Sequence, residues 1–270
     1  MTFDTRPFCA LTIAGSDSGG GAGIQADLKT FAAHRVHGLS VITALTAQNT
    51  RGVTAVHVPP VDFLRAQIDS CFDDFRIGAV KLGMLANAAV IHAVADALEA
   101  CAPRHIVLDP VMVATSGAKL LADDALDAMR QRLLPLASII TPNTPEAELL
   151  LGHSIGDGDA ALLAMDALRA LGPEAVLLKG GHMHEGDNVI DRFADRTGST
   201  EFVHARMQVE GHGTGCTLAS AITANLCVGM AMQQACAAAI DYVHAALAGG
   251  TMPGKADVVV LDHLGQSCNP

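Results

Sequence analysis

Residues 211–217 read Gly-His-Gly-Thr-Gly-Cys-Thr and directly precede a long apolar stretch. Gly213 and Gly215 allow a sharp turn whose N–H groups are not shielded by Cβ atoms. The helix that we predict from residue 216 adds the positive end of its dipole, so the turn is suited to binding a phosphate or another anion. Cys216 lies in the first helical turn, where the pKa of a thiol is expected to fall below its usual ~8.5. An anion site beside an activated thiol indicates phosphoryl transfer, and a glycine-rich connection with a buried cysteine is the alternative.

Four further polar residues lie at or near the ends of predicted strands and could complete such a site. Asp109 and Glu146 offer the carboxylates through which phosphoryl-transfer enzymes hold Mg²⁺. Lys179 could bind a nucleotide phosphate as a point charge, or it could be a solvated lysine at a strand end. Asn143 and Glu146 open a predicted helix, so Glu146 could also serve only to complement the helix dipole.

Two residues nearer the N-terminus could recognise a small ligand. Gln48 follows an apolar strand, and its amide can pair with an aminopyrimidine edge as Asn and Gln pair with adenine; hydrogen bonds to neighbouring backbone are the alternative. Asp27 lies at the edge of the buried stripe of Ile24, Leu28 and Phe31, on the helix after a glycine-rich loop. A carboxylate there needs a partner, which a ligand, a helix cap or an ion pair could supply.

Short apolar runs alternate with amphipathic stretches along the chain. The apolar runs predict strands at residues 10–14, 40–47, 53–58, 79–82, 105–108, 138–140 and 175–178. Helical periodicity predicts helices at residues 22–36, 61–75, 88–101, 123–134, 147–151, 159–171, 216–228 and 232–248. Residues 189–193 and 201–206, joined by a Gly-Ser turn, predict a late antiparallel hairpin.

Repeated strand–helix units predict an α/β fold with a largely parallel central sheet that is covered on both faces. No linker, repeat or low-complexity tract divides residues 1–270, so we predict a single domain. Ligands of open α/β sheets bind at the carboxyl ends of the strands. The polar residues considered above fall at those ends.

The composition limits the classes of partner. The chain has 270 residues and a formal net charge of -11, which argues against nucleic acid because phosphate backbones require basic surfaces. We find no apolar run that predicts a signal peptide or a membrane span. Seven scattered cysteines without a Cys-x-x-Cys pair are typical of a reducing compartment, so we expect a soluble cytoplasmic protein.

Together these motifs resemble those of the ribokinase-like superfamily, and within it the hydroxymethylpyrimidine/phosphomethylpyrimidine kinases of thiamine biosynthesis. The resemblance spans nearly the whole chain and is most specific in residues 13–29 and 212–217. It also includes residues 41–50, 81–85, 108–112, 143–146 and 178–182. One departure is Ser18-Gly19, where many relatives carry Pro-Ser.

The resemblance implies a three-layer α/β/α sandwich, usually a homodimer, that uses Mg²⁺ and transfers the γ-phosphate of ATP twice. The first transfer phosphorylates 4-amino-5-hydroxymethyl-2-methylpyrimidine, and the second converts the monophosphate to the diphosphate. Gln48, Asp27, Met84 and Val111 would contact the pyrimidine. Cys216 stands where the wider superfamily usually carries an aspartate base.

By the same resemblance, Gly213, Thr214 and Gly215 form the anion hole, while Asn143 and Glu146 lie near Mg²⁺ and the phosphates. Residues 112–119 resemble a flap that covers the site. A pyridoxal or pyridoxine kinase on the same scaffold is the nearest alternative. A non-catalytic pyrimidine sensor would not need the phosphoryl-transfer residues, and an oxidoreductase would need the dinucleotide fingerprint that the chain lacks.

Overall fold

Strands and helices alternate along the chain in the computed structural model, which describes residues 6–112, 122, 124–183 and 185–265. The strands are β1 (Cys9–Asp17), β2 (His37–Asn49), β3 (Gly52–His57), β4 (Ile77–Leu82), β5 (Ile106–Leu108), β6 (Ile139–Ile140), β7 (Ala175–Leu178), β8 (Asn188–Asp195), β9 (Gly198–Ala205), β10 (Gly211–His212) and β11 (Val259–Val260). The helices are α1 (Gly23–Ala33), α2 (Val61–Asp74), α3 (Ala88–Cys101), α4 (Ala125–Ala128), α5 (Thr144–Leu151), α6 (Gly158–Ala170), α7 (Thr214–Cys227) and α8 (Met232–Ala248).

The described strands form a nine-stranded sheet in the order β3-β2-β1-β4-β5-β6-β7-β8-β9. The strands from β2 to β7 in this order run parallel. β3 pairs antiparallel with β2 at one edge, and β8 and β9 are antiparallel at the other. The carboxyl ends of six parallel strands therefore meet along one side of the sheet, where ligands of such sheets bind.

Side chains of the central strands alternate between two helical layers, because successive residues of a strand point to opposite faces. In β5, Ile106 and Leu108 pack into the apolar core formed with α2 to α6, whereas Val107 packs into the core formed with α7 and α8. Phe31 of α1 lies on this second face, against Ala10. The fold is therefore the three-layer α/β/α sandwich that the sequence predicts.

Most predicted elements are present, with shifted ends. Residues 88–101, 175–178 and 232–248 coincide with α3, β7 and α8. The first helix ends at Ala33 rather than at residue 36, since Arg35 adopts a left-handed φ of 58° that a helix cannot continue.

Other predictions need correction. The helix at residues 123–134 is a single α-helical turn followed by the π-helical Met129–Leu133. The turn of the late hairpin is formed by residues 196–197 rather than by the Gly-Ser pair, because Asp195 pairs with Gly198. β10 and β11 pair with each other outside the main sheet and were not predicted.

Of the residues resembling a flap, all but Met112 lie outside the described residues. None of the helices in the described residues combines the length and the apolar composition that crossing a membrane requires.

Candidate active site

The turn before α7 exposes the start of that helix. Gly213 has a φ of +85°, a conformation that glycine adopts without strain. A Cβ at this position would overlap the carbonyl oxygen of Gly21, so the turn packs directly on the glycine-rich loop after β1. Thr214, Gly215 and Cys216 form the first turn of α7, where N–H groups have no acceptor within the helix. Free N–H groups and a helix dipole are the requirements of an anion site. We call residues 213–216 the anion turn.

Lys179 lies between two carboxylates beside this turn. Its Nζ is 3.0 Å from Asp109 Oδ1 and 3.7 Å from Glu146 Oε2. A Cβ on Gly215 would be 3.2 Å from the same nitrogen. Burial opposes the charge of Lys179, but the two carboxylates outweigh burial and raise the pKa above its usual value. Lys179 is therefore a fixed cation at the anion turn rather than a solvated strand-end lysine.

A reciprocal capping box holds Glu146 at the start of α5. The Asn143 side chain accepts a hydrogen bond from Glu146 N at 2.9 Å, and Glu146 Oε2 accepts one from Asn143 N at 2.8 Å. Burial raises the pKa of Glu146 to about 7, Lys179 opposes this rise, and Asp109 adds to it. Within the described residues, no group of three or more His, Cys, Asp or Glu could hold a metal ion. Two carboxylates still fit Mg²⁺, which takes its other ligands from water and substrate phosphates.

The environment of Cys216 contradicts the expected fall of its pKa. Gly23 N–H donates to the sulfur, but burial dominates and raises the pKa of the thiol to about 11. Lys81 opposes this rise, whereas Asp27 and Asp109 add to it. The prediction considered only the helix dipole and is wrong because desolvation and two buried carboxylates disfavour a further negative charge. Cys216 is therefore a protonated thiol at neutral pH.

We expect iodoacetamide to alkylate Cys216 slowly at pH 7 and about tenfold faster with each pH unit up to about pH 10, because the thiolate is the nucleophile. Peptide mass spectrometry gives the rate for each cysteine. Cys71 is a partly exposed reference on α2, whose thiol pKa burial also raises. Rapid alkylation of Cys216 that does not change between pH 6 and pH 8 would show a resting thiolate instead.

Asp27 lies beneath the site rather than in its wall. Its side chain is 0% exposed, and its carboxylate accepts hydrogen bonds from Thr12 Oγ1 at 2.6 Å and Ser220 Oγ at 2.7 Å. Lys81 Nζ lies 3.0 and 2.9 Å from the two carboxylate oxygens. Of the alternatives that the sequence left open, the structure contains the ion pair. It corrects the implied pyrimidine contact, since no surface of Asp27 is left for a ligand.

Gln48 is half-buried near the end of β2 and makes side-chain contacts. Its Oε1 accepts a hydrogen bond from Thr46 Oγ1 at 3.1 Å, and its Nε2 lies 3.3 Å from His212 Nε2. The amide is thus oriented by its neighbours and lies beside the residue that precedes the anion turn.

Met84 and Val111 belong to one small apolar cluster with Ala44 and Ala86. Met84 follows β4 and Val111 follows β5, so both lie at the carboxyl ends of parallel strands. A Cβ on Gly15 would be 3.0 Å from Met84 Sδ, which brings β1 against the same cluster. This cluster offers an apolar wall against which a flat ring could pack.

Asp17 and His212 join the first loop to the anion turn, and the sequence did not single them out as site residues. The Asp17 carboxylate accepts hydrogen bonds from the N–H groups of Gly19, Gly21 and Ala22 at 2.7 to 3.0 Å. His212 Nε2 lies 3.1 Å from its Oδ2. Burial raises the pKa of Asp17, but these hydrogen bonds and His212 outweigh burial, so the pKa lies below its usual value. An aspartate before a glycine run is the signal for such a side-chain-to-backbone turn.

A cavity of about 260 Å³ opens from the anion turn towards α8. Lys179, Thr214 and Gly215 form its polar end. Much of the remaining wall is apolar and includes Val189, Leu218, Ile240, Val243 and Leu247. An apolar cavity with a cation and free N–H groups at one end suits a nucleotide, whose base is flat and whose phosphates are anionic. These apolar residues were not predicted because they come from β8, α7 and α8, which are distant in sequence.

Comparison with known proteins gives concordant results. The family model described as phosphomethylpyrimidine kinase matches residues 17–260. The hydroxymethylpyrimidine/phosphomethylpyrimidine kinase of Rhizobium meliloti is 50% identical over 241 residues, which cover 88% of this chain and 90% of that protein. The thiamine biosynthesis bifunctional protein ThiED of Geobacter sulfurreducens is 48% identical over 238 residues, or 88% of this chain and 48% of that longer protein.

Among solved structures, an ADP complex of Bacillus subtilis pyridoxal kinase superposes with a TM-score of 0.88 and 32% sequence identity, covering 96% of this chain and 98% of the other. Both kinds of comparison lead to kinases, named for pyrimidine substrates in one case and for pyridoxal in the other, and the solved structures have the ribokinase-like fold. On the extent of the family match and the 50% identity, the chain belongs to the phosphomethylpyrimidine kinase family.

Proposed function

We propose that the protein phosphorylates 4-amino-5-hydroxymethyl-2-methylpyrimidine with ATP, and then phosphorylates the monophosphate to the diphosphate for thiamine diphosphate biosynthesis. The observation that carries this proposal is the position of the anion turn. It borders the cavity through Thr214 and Gly215, and its Gly215 lies against Lys179 and Asp109. The names of the relatives supply the substrate.

The cavity would hold the nucleotide with its phosphates towards Lys179 and the N–H groups of the turn. Lys179 neutralises phosphate charge at a fixed point, since Asp109 and Glu146 orient its ammonium group. Asp109 and Glu146 would also hold Mg²⁺, which when bound stabilises the charge on the phosphate oxygens.

In the first transfer, the Cys216 thiol would first lose its proton to water, and the thiolate, a small fraction at pH 7, would then accept the proton of the substrate alcohol. The O–H bond breaks and an S–H bond forms, while the alcohol oxygen attacks the γ-phosphorus and the bond to the ADP oxygen breaks with its electron pair. The N–H groups from Gly213 to Cys216 stabilise the charge on the migrating group. In the second transfer the nucleophile is a phosphate oxygen, whose last proton has a pKa near ~6. This step therefore needs no base at neutral pH.

The direct test incubates the protein with Mg·ATP and, in separate reactions, the pyrimidine alcohol, its monophosphate and pyridoxal. Mass spectrometry identifies the products, and reactions without protein are the blank. We expect the monophosphate and then the diphosphate from the first two acceptors. Turnover of pyridoxal alone would favour the pyridoxal kinase alternative. The similarity to the solved pyridoxal kinase supports including this alternative in the test. Absence of ATP consumption with all three acceptors would favour a non-catalytic pyrimidine-binding protein.

Replacing Gln48 by alanine is expected to raise the KM for the pyrimidine alcohol about tenfold and to leave the KM for ATP unchanged, because the variant loses the amide that would pair with the ring. Steady-state kinetics with each substrate varied separately measure this split. Thr46→Val is a comparison variant that keeps the amide and removes a hydroxyl in contact with Gln48 Oε1 and the Ser16 carbonyl oxygen, so it should raise this KM less than Gln48→Ala does. Equal increases in both KM values would contradict a role in recognising the pyrimidine.

We infer that the protein is a homodimer in the cytoplasm. Apolar side chains remain exposed on the β2–β3 hairpin, where Leu45 and Val56 are each 45% accessible, and on the following helix, where Phe63 is 60% accessible. A second copy covering this edge would bury them. Light scattering should give twice the chain mass, and Leu45→Lys should reduce it to that of one chain.

The state of the cysteines supports the cytoplasm as the compartment. All cysteines in the described residues are free thiols, as in a reducing compartment.

A further inference from the structure

A lysine and an aspartate are completely buried beneath Cys216. The side chains of Lys81 and Asp27 are both 0% exposed, with Nζ 2.9 Å from Oδ2. Glycine at position 83 leaves the space for this ammonium group, because a Cβ there would lie 2.7 Å from Lys81 Nζ. A buried ion pair often stabilises a fold no better than apolar side chains of the same volume. Stability of the fold alone therefore does not explain why two charged side chains are buried here.

Two contacts between α1 and α7 connect this pair to Cys216. Gly23 N–H donates to the Cys216 sulfur, and Ser220 Oγ donates to Asp27 Oδ1 at 2.7 Å. Gly23 and Asp27 are four residues apart on α1, as Cys216 and Ser220 are on α7, so each pair lies on one face of its helix. The two contacts therefore join the same two helices, one helical turn apart. Lys81 Nζ and Ser220 Oγ thus meet at the Asp27 carboxylate, and Ser220 lies one helical turn after Cys216.

The charged groups around Cys216 have opposite effects on it. Asp27 and Asp109 disfavour a thiolate, and Lys81 is the cation that favours it. Lys179, the other lysine of the site, is held between Asp109 and Glu146. Burial opposes the charge of Lys81, but Asp27, Cys216 and Asp109 together raise its pKa, so it stays an ammonium ion.

We propose that Lys81 is a positioning residue for the kinase reaction, whose buried ammonium group, oriented by Asp27, balances the negative charge of the Cys216 thiolate before the alcohol proton arrives. The proposal rests on the proposed function only for the source of that proton. Lys81 itself has no exposed surface and acts through Cys216. Asp27 thus acts on the site without contacting substrate. It holds the Lys81 ammonium group in place, and its own negative charge partly cancels the stabilisation of the Cys216 thiolate by Lys81.

The rate of alkylation of Cys216 by iodoacetamide, followed by peptide mass spectrometry from pH 6 to pH 10, tests this proposal without any kinase assay. Three variants are compared with the unchanged protein: Lys81→Met, Asp27→Asn and the double variant. Removal of the cation should slow alkylation of Cys216 at pH 8 about tenfold, whereas removal of the carboxylate should accelerate it. The double variant, which removes one charge of each sign, should lie between the single variants. Cys71 and Cys101, on α2 and α3, are the internal references in every digest.

Opposite signs for the two single variants support the proposal, because a purely structural role of the pair would change both rates in the same direction. Equal or parallel changes overturn it. Thermal unfolding shows whether each variant is folded. If Lys81→Met does not fold, the comparison of Asp27→Asn with the double variant isolates the lysine charge, and unchanged alkylation between those two overturns the proposal.

Kinase assays of the same variants separate the two levels of inference. With the pyrimidine alcohol, Lys81→Met should lower kcat about tenfold at pH 7 and leave the KM for ATP unchanged. If the unchanged protein phosphorylates none of the acceptors, the proposed function fails while the alkylation rates still decide the role of Lys81. If the kinase is active and alkylation of Cys216 is indifferent to Lys81, only the present proposal fails.

Discussion

Cys216→Ala is expected to slow phosphorylation of the pyrimidine alcohol about 10²- to 10⁴-fold, the range typical for loss of a general base. Binding of the pyrimidine should be nearly unchanged, because the side chain removed is small and belongs to the first turn of α7. The second transfer should lose much less, since its nucleophile is an ionised phosphate oxygen that has no proton to give up. The two transfers of one active site thus respond differently to one substitution.

Single-turnover experiments with the alcohol and with the monophosphate measure the two rates separately, and calorimetric titration measures pyrimidine binding. Cys101→Ala is the matched control: Cys101 is a partly exposed cysteine at the end of α3, and its loss should change neither rate. A near-normal first transfer in Cys216→Ala would remove the base assignment. Equal losses in both transfers would instead indicate that Cys216 shapes the anion turn.

The raised pKa of Cys216 has a kinetic consequence. A thiol with a pKa of about 11 provides little thiolate at pH 7, but the thiolate that forms is a strong base. The alcohol therefore reacts through a scarce but strong acceptor, and the first transfer should accelerate with pH while the second does not. A carboxylate at this position would be ionised more readily, but it would be the third acid beside Asp27 and Asp109. The thiol avoids a permanent additional negative charge.

The layered fold and the position of the site could be predicted from the sequence, because both depend on local patterns. Alternating strand and helix periods specify the parallel sheet, and the rule that ligands bind at the carboxyl ends of strands is enough to group Asp109, Glu146 and Lys179. Asn143 and Glu146 form their capping box within four residues. Such features need no knowledge of which elements touch in space.

The predictions that failed depend on contacts between distant segments. Asp27 and Lys81 are 54 residues apart in sequence, so an acid on the edge of a helical stripe could not be distinguished from a ligand-binding one. The pKa of Cys216 follows from burial and from charges on α1 and β4, whereas its sequence position reports only the helix dipole. His212 and Asp17 likewise meet only in the folded protein. Electrostatic properties of a site are therefore harder to read from a sequence than its location.

Gly213→Ala is expected to have the largest effect of any single methyl group added to the site. Two costs combine: the left-handed φ of +85°, worth about 1–2 kcal/mol for a residue with a Cβ, and overlap of that Cβ with the Gly21 carbonyl. Relief of the overlap must move the anion turn away from the first loop. We expect a loss of stability of about 3 kcal/mol or more and a fall in kcat of about 10²-fold or more.

Gly152→Ala separates the two costs, because Gly152 has a nearly identical φ of +79° and a Cβ there would have no neighbouring atom within 4 Å. This variant should lose only about 1–2 kcal/mol through backbone strain and should keep its kcat. Urea unfolding and steady-state kinetics of the two variants provide the comparison. If Gly213→Ala matched Gly152→Ala in both stability and turnover, close packing of the first loop on the anion turn would not be needed for phosphoryl transfer. A larger loss in Gly213→Ala assigns the excess to that packing, and so to the alignment of the N–H groups that must meet the migrating phosphate.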